Sequence, residues 1–166
     1  TMNCCLFNVK DVLTGGFEMG NLWYNEPKTL EVAFDVIGDI VLSAASQQYG
    51  GFTVPSVDLL LEPFAEKSYE KYYRRYIDMG LTARIADREA MKDIQKDFDQ
   101  GFQGWEYKFN TVASSRGDYP FITMTFGTGT GKFAKIASIT MLNVRRKGQG
   151  KKNCKKPVLF PKLVFL

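Results

Sequence analysis

Two adjacent cysteines, Cys4 and Cys5, are the residues of this chain best suited to redox chemistry. A disulfide between neighbours would strain the peptide that joins them. On a strand their side chains point to opposite faces, so at most one of them meets a given site. The plainer reading of both is as small core residues. The third cysteine, Cys154, lies among lysines, which would favour its thiolate if exposed. The chain has no histidine. That removes the commonest general base and the commonest metal ligand, so Ser-His-Asp, Cys-His and His-based metal chemistry cannot be completed here. No C-x-x-C pair or zinc spacing is present, and no metal site is expected. Cysteines this few and unpaired fit a reducing, cytoplasmic setting.

Three further stretches have residue types that meet phosphate. Gly127-Thr128-Gly129-Thr130-Gly131-Lys132 falls between a strand pattern and a helix pattern. It fails G-x-x-x-x-G-K-[ST], which needs glycine at Phe126 and a hydroxyl at Phe133. It also fails G-x-G-x-x-G at Lys132. Free amides at the helix start would still favour an anion, against an ordinary tight turn. The segment 145–156 holds Arg145, Arg146, Lys147, Lys151, Lys152, Lys155 and Lys156. It has the charge for a polyanion but no aromatic platform for stacking bases, and its plain reading is a solvated loop. The run 67–76 interleaves Tyr69, Tyr72, Tyr73 and Tyr76 with Lys67, Lys71, Arg74 and Arg75. It could stack on and neutralise a nucleotide, or simply pack its tyrosines and solvate its charges.

The elements that must position these residues follow from periodicity. The sequence is 45% hydrophobic and 14% aromatic, with a net charge of +4, which describes one globular domain over 1–166. No run reaches the roughly 18 apolar residues of a membrane span. An opening strand is expected over 1–9, with turn chemistry from 8 to 20. A helix should start near Asn25 and Pro27 and run to about Tyr49 on Leu30, Ala33, Phe34, Ile37, Val41 and Ala44. Apolar on several sides, it fits a dimer surface. Ser56 can cap a short helix that Pro63 ends. Helices are expected again over 65–77, 82–102 and 133–144, with strands at 121–126 and at the C-terminal end, where Pro161 marks an edge. This order is α/β. The chain opens inside a strand and closes on the apolar run Val158 to Leu166, so it reads as a piece of a larger protein.

Asn3-Cys4-Cys5-Leu6, Gly16-Phe17-Glu18-Met19-Gly20-Asn21, Pro27-Lys28-Thr29, Tyr49-Gly50-Gly51, Ala65-Glu66-Lys67-Ser68-Tyr69, Phe109-Asn110-Thr111, Pro120-Phe121-Ile122-Thr123 and Leu159 to Phe165 follow one another in an order that resembles anaerobic (class III) ribonucleoside-triphosphate reductase. The resemblance covers the whole chain. It implies part of a ten-stranded α/β barrel of the glycyl radical type, this chain resembling much of the first half. It also implies reduction of ribonucleoside triphosphates to their 2′-deoxy forms.

By its place in Asn-Cys-Cys-Leu, Cys4 resembles the barrel-strand cysteine that helps reduce the 2′ position, with Cys5 facing away. The resemblance further implies dNTP and ATP effectors, with a specificity site on Asn25, Lys28, Asp39 and Lys71 at a homodimer interface. A radical-SAM activating enzyme, which uses S-adenosylmethionine and an iron–sulfur cluster, would generate the glycyl radical. That glycine, the thiyl-forming cysteine and a four-cysteine zinc site would lie beyond Leu166, and an ATP-binding domain before Thr1. The chain alone is then expected to be inactive. The alternative from the residues is a stand-alone nucleotide- or RNA-binding module. A structural dimerisation half is a third possibility.

Overall fold

The computed structural model describes residues 4–113 and 117–166. The first three positions of the expected opening strand, and 114–116 of the expected polar loop, lie outside the described residues.

Four strands form one parallel sheet in sequence order: β1 (Cys5–Leu6), β4 (Phe52–Val54), β5 (Ile122–Phe126) and β8 (Lys162–Phe165). Parallel neighbours need a crossover, and here each is built mainly from helix. Between β1 and β4 run α1 (Val9–Leu13), the hairpin β2 (Phe17–Met19) and β3 (Leu22–Tyr24), and α2 (Leu30–Ser46). Between β4 and β5 come α3 (Val57–Asp78) and α4 (Ala83–Thr111). Between β5 and β8 come α5 (Lys132–Lys147) and the antiparallel ribbon β6 (Gln149–Lys151) and β7 (Cys154–Lys156).

The strands bury one face only. Phe52, Val54, Ile122, Met124 and Phe126 are fully buried against the helices, while the alternate positions Thr53, Thr123 and Thr125 are half exposed. Leu6 is 72% exposed. All-parallel sheets are normally covered on both faces. This sheet carries its helices on one face and leaves the other open among the described residues.

The helix layer is held by a joint between α2 and α4. Phe34 stands edge-on to Phe102 and Trp105, with ring centroids 5.0 and 4.7 Å away. The Trp105 indole N–H donates to the Phe34 carbonyl at 2.7 Å. Glycines make this approach possible from both sides. A Cβ on Gly101 would stand 2.2 Å from the Phe34 ring, and one on Gly38 3.2 Å from Lys108 and 3.3 Å from Trp105. Gly101 is therefore a contact surface, and α4 continues past Phe102 through Trp105 to Asn110, an extension the sequence allows, and ends at Thr111. The several apolar sides of α2 are satisfied within the chain, since Leu30, Ala33, Phe34, Ile37, Ile40 and Val41 are all buried. They give no separate reason for a dimer surface.

Other expectations shift. The opening strand shortens to Cys5–Leu6, and Val9–Leu13 is helical. Thr29, not Asn25, caps α2, its hydroxyl accepting from the Val32 N–H. Pro63 does not end a helix; it sits inside α3 with its ring exposed. An interior proline costs about 3 kcal/mol. Burial of Leu60, Leu61, Phe64 and Ala65 on either side outweighs it. Residues 52–54 form a sheet strand, and the basic segment expected as a loop carries the β6–β7 ribbon.

Candidate functional site

Cys4 immediately precedes β1 and is exposed. The Cys5 N–H donates to the Gly51 carbonyl at 2.9 Å, which seats this end of β1 on β4. Strand alternation then separates the two thiols. Cys5 and Phe7 pack against the core, Phe7 with its ring centroid 5.3 Å from Phe52. Cys4 and Leu6 take the open face. A glycine stands beside Cys4: a Cβ on Gly51 would come 4.0 Å from its sulfur and 3.9 Å from Phe121. The open face thus presents one thiol, a glycine beside it, and the hydroxyl-bearing Thr53, Thr123 and Thr125 along the strands.

At the other end of the sheet the glycine-rich turn is already filled. Asp58, 1% exposed in the first turn of α3, accepts from the Gly127 and Gly129 N–H groups through Oδ2 at 3.1 and 2.7 Å. A Cβ on Gly131 would lie 1.7 Å from Glu62 Oε1. Two amides of the turn before the helix are therefore satisfied by the chain's own carboxylate, and a second carboxylate stands beside Gly131 at the helix start. A phosphate there would have to displace both. Asp58 Oδ1 has no hydrogen-bond partner.

The α3 face divides in two. Tyr69, Tyr72 and Tyr76 donate their hydroxyls to Asp87, Asp97 and Asp93 on α4. Burial, then the bond to Asp87, pushes the Tyr69 hydroxyl up to about 12. Burial and the bond to Asp97 raise Tyr72 as well. Burial also lifts the Asp97 carboxyl above its ordinary range, although the Tyr72 hydroxyl pulls it down. These tyrosines are structural and do not offer rings to a base. The cations on the other side of α3 remain open. Lys67, Lys71 and Arg74 line a shallow groove of about 660 Å³ with Glu70, Arg75, Asp78 and Met79.

The four effector positions fall in two places. Lys67 pairs with Glu26 at 3.2 Å, and the Leu30 N–H donates to the buried Ser68 hydroxyl at 2.7 Å. The segment holding Asn25 and Lys28 is thereby seated against the turn of α3 that carries Lys71, and all three are exposed. Asp39 lies nine residues along α2 from Leu30, roughly 14 Å at 1.5 Å per residue. There it pairs with Lys108 at 2.8 Å. Lys67 and Arg74, read from the sequence as cations of the 67–76 run but not among the four effector positions, share the groove with Lys71, as the spacing 67, 71, 74 on one helix face requires.

Among the described residues no group of three or more Cys, Asp or Glu is arranged to hold a metal ion, and no helix is long and apolar enough to cross a membrane.

Comparison with known proteins agrees with this architecture. The chain is 38% identical over 163 residues to the anaerobic ribonucleoside-triphosphate reductase of Enterobacteria phage T4, covering 98% of this chain and 26% of that protein. It is 36% identical to the Escherichia coli (strain K12) protein of the same name, again over 98% of this chain but 22% of the relative. The chain thus spans about a quarter of the length of these relatives. Among solved structures, the anaerobic ribonucleotide reductase from Thermotoga maritima in complex with dATP and CTP superposes with a TM-score of 0.55. The match has 14% identity and covers 84% of this chain and 23% of that one, a likeness of fold. The profile of the family described as anaerobic ribonucleoside-triphosphate reductase matches residues 1–166, and this chain, with its lone thiol on the open face of a parallel sheet, belongs to that family.

Proposed function

We propose that this chain supplies opening strands of the catalytic barrel of a ribonucleoside-triphosphate reductase, with Cys4 as its contribution to the chemistry. The observation that carries the reading is the split between the two cysteines: Cys5 against the helices, Cys4 on the uncovered face beside Gly51. A one-sided parallel sheet supports it too, because such a sheet calls for cover on its second face, and further strands of a ten-stranded barrel closing around a substrate would supply that cover. A glycine-centred radical, made by a radical-SAM activating enzyme, provides the oxidising power in such an enzyme. The role left to Cys4 is to hold a weak S–H bond at the face where the ribose of a ribonucleoside triphosphate lies, and to serve as a reductant at its 2′ position. Thr53, Thr123 and Thr125 offer hydroxyls on the same face.

In the same reading Asn25, Lys28 and Lys71 bind the phosphates and polar edge of a dNTP effector. Exposed cations beside the positive end of α2 support this role. Asp39, engaged with Lys108 in its own chain, would reach that site only from the second copy of a homodimer. The enzyme would work in the cytoplasm under reducing conditions.

The test replaces each cysteine in turn in the full-length enzyme that carries this segment, activated anaerobically. Cys4→Ser should abolish formation of deoxyribonucleotide, and Cys5→Ser should preserve it. Turnover by the Cys4→Ser enzyme would end the reading.

A further inference from the structure

Charge is divided unevenly along the chain. From Tyr119 to Leu166 there are ten Lys and Arg side chains and no Asp or Glu, whereas the preceding 118 residues hold twelve cations and eighteen acids. Six of the ten cations gather at one place. Arg146 and Lys147 end α5, and Lys151, Lys152, Lys155 and Lys156 belong to the β6–β7 ribbon and its turn. All six are exposed, and among the described residues no ion pair reaches any of them.

The ribbon is anchored. Arg145, just before it, pairs with the buried Glu106 at 2.8 Å and donates to the Pro161 carbonyl. Gln149 donates to the second Glu106 oxygen at 2.7 Å. Gly148 and Gly150 take positive φ, where a Cβ would stand 2.7 Å from the Lys156 and Cys154 carbonyls respectively. The two strands therefore approach as closely as glycine allows. In this register Lys151 stands opposite Cys154 and Gln149 opposite Lys156, so Lys151 and Lys156 share one face. Lys155 takes the other face, and Lys152 lies at the turn.

A held finger with like charges on both faces and at its tip carries an uncompensated self-repulsion that a polyanion would relieve. The ribbon's composition narrows the partner. It has no aromatic residue on which single-stranded bases could stack. Its charges are lysines, point cations rather than the bidentate forks that read guanine. Charges on both faces suit a groove walled by phosphates. The major groove of B-form DNA, about 12 Å wide, admits a two-stranded ribbon, whereas the major groove of A-form RNA is too narrow. We propose that the β6–β7 ribbon and the end of α5 form a sequence-independent binding site for the phosphate backbone of duplex DNA. The site is separate from the Cys4 face and does not depend on the reductase reading.

The test is fluorescence anisotropy of a labelled duplex of about 25 bp with the 166-residue chain, from about 50 to about 200 mM salt. Binding should weaken with salt with a log–log slope of about −4 to −5, as expected for roughly five phosphate contacts at about 0.9 each. Replacing Lys151, Lys152, Lys155 and Lys156 with Gln should lower affinity at least tenfold and flatten the slope by about 3 to 4. A control that removes the same charge from α4 (Arg84, Arg88, Lys92 and Lys96 to Gln) should bind like the parent. Circular dichroism establishes that both variants are folded. Absence of binding overturns the proposal, as does equal loss in the control. Duplex RNA, single-stranded DNA or polyglutamate bound as tightly as duplex DNA would also overturn it, the last by pointing to an acidic protein partner.

Discussion

The turn at 127–131 and the ribbon at 149–156 both have residue types that bind phosphate, and the fold treats them in opposite ways. The turn has free-standing amides before a helix, but Asp58 already takes those of Gly127 and Gly129, accepting at 3.1 and 2.7 Å from a position 1% exposed. The ribbon has the charge, and among the described residues no ion pair reaches its four lysines. The difference teaches that a binding pattern becomes a site only when the chain leaves its donors unsatisfied. Helix α3 shows both outcomes on one element: its tyrosines are engaged by aspartates, while Lys71 and Arg74 stand in an open groove with no ion pair among the described residues.

The largest effect that tests this contrast is expected at Asp58. Asp58→Ala leaves two half-buried amides without their charged acceptor and should destabilise the chain by about 2–4 kcal/mol, read from the midpoint of denaturant unfolding at unchanged slope. Asp58 Oδ1 is unpartnered, which offsets part of this cost. Inorganic phosphate should then raise the melting temperature of Asp58→Ala and not of the parent chain. A phosphate effect on the parent would mean that the turn is not closed.

A smaller effect belongs to the tyrosine–aspartate seam. The Tyr69 hydroxyl is raised from 10.0 to about 12. A folded-state value above the unfolded one means that the contribution is fully present below pH 10 and is lost as pH rises through about 12. Stability of the parent should therefore fall across that alkaline window, and Tyr69→Phe should flatten the fall. Equal pH profiles for the two would show that Tyr69 is not held by burial and Asp87. Tyr72→Phe should cost about 1.5–3 kcal/mol at neutral pH, the worth of one hydrogen bond to a charged acceptor.

The smallest effect is expected at the ribbon. Each exposed cation there has no partner to lose, so single Lys→Gln changes at 151, 152, 155 and 156 should stay within about 0.5 kcal/mol. A stability loss comparable to that of Asp58→Ala would mean that these lysines serve the fold, and the contrast with the turn would fail.

Much of the architecture was legible in the residues. The periodicity of Leu30 to Ala44 and the alternation of Ile122 to Phe126 marked α2 and β5, because each element buries one face with a regular step. The order of strands and helices gave the α/β class. Thr82 was readable as the start of α4, and its hydroxyl accepts from the Ile85 N–H. Other elements were hidden for identifiable reasons. Strands of three residues, such as β6 and β7, are too short to display alternation. The proline at 63 carries a strong local penalty that only the burial of its neighbours could override. Of the four effector positions, sequence order could not say that Asp39 would be taken by Lys108.

The sequence by itself determined which residues can do chemistry: a thiol pair with no histidine to serve it, and an ordered series of short motifs that marks the family. It also set the alternation that must send Cys4 and Cys5 to opposite faces of a strand. Which face is open was decided only by tertiary structure, because that depends on where α2 to α5 pack. The same holds for the glycine turn and the basic ribbon. Their charges and amides are local, but whether a carboxylate reaches them depends on contacts between residues some 40 to 70 positions apart.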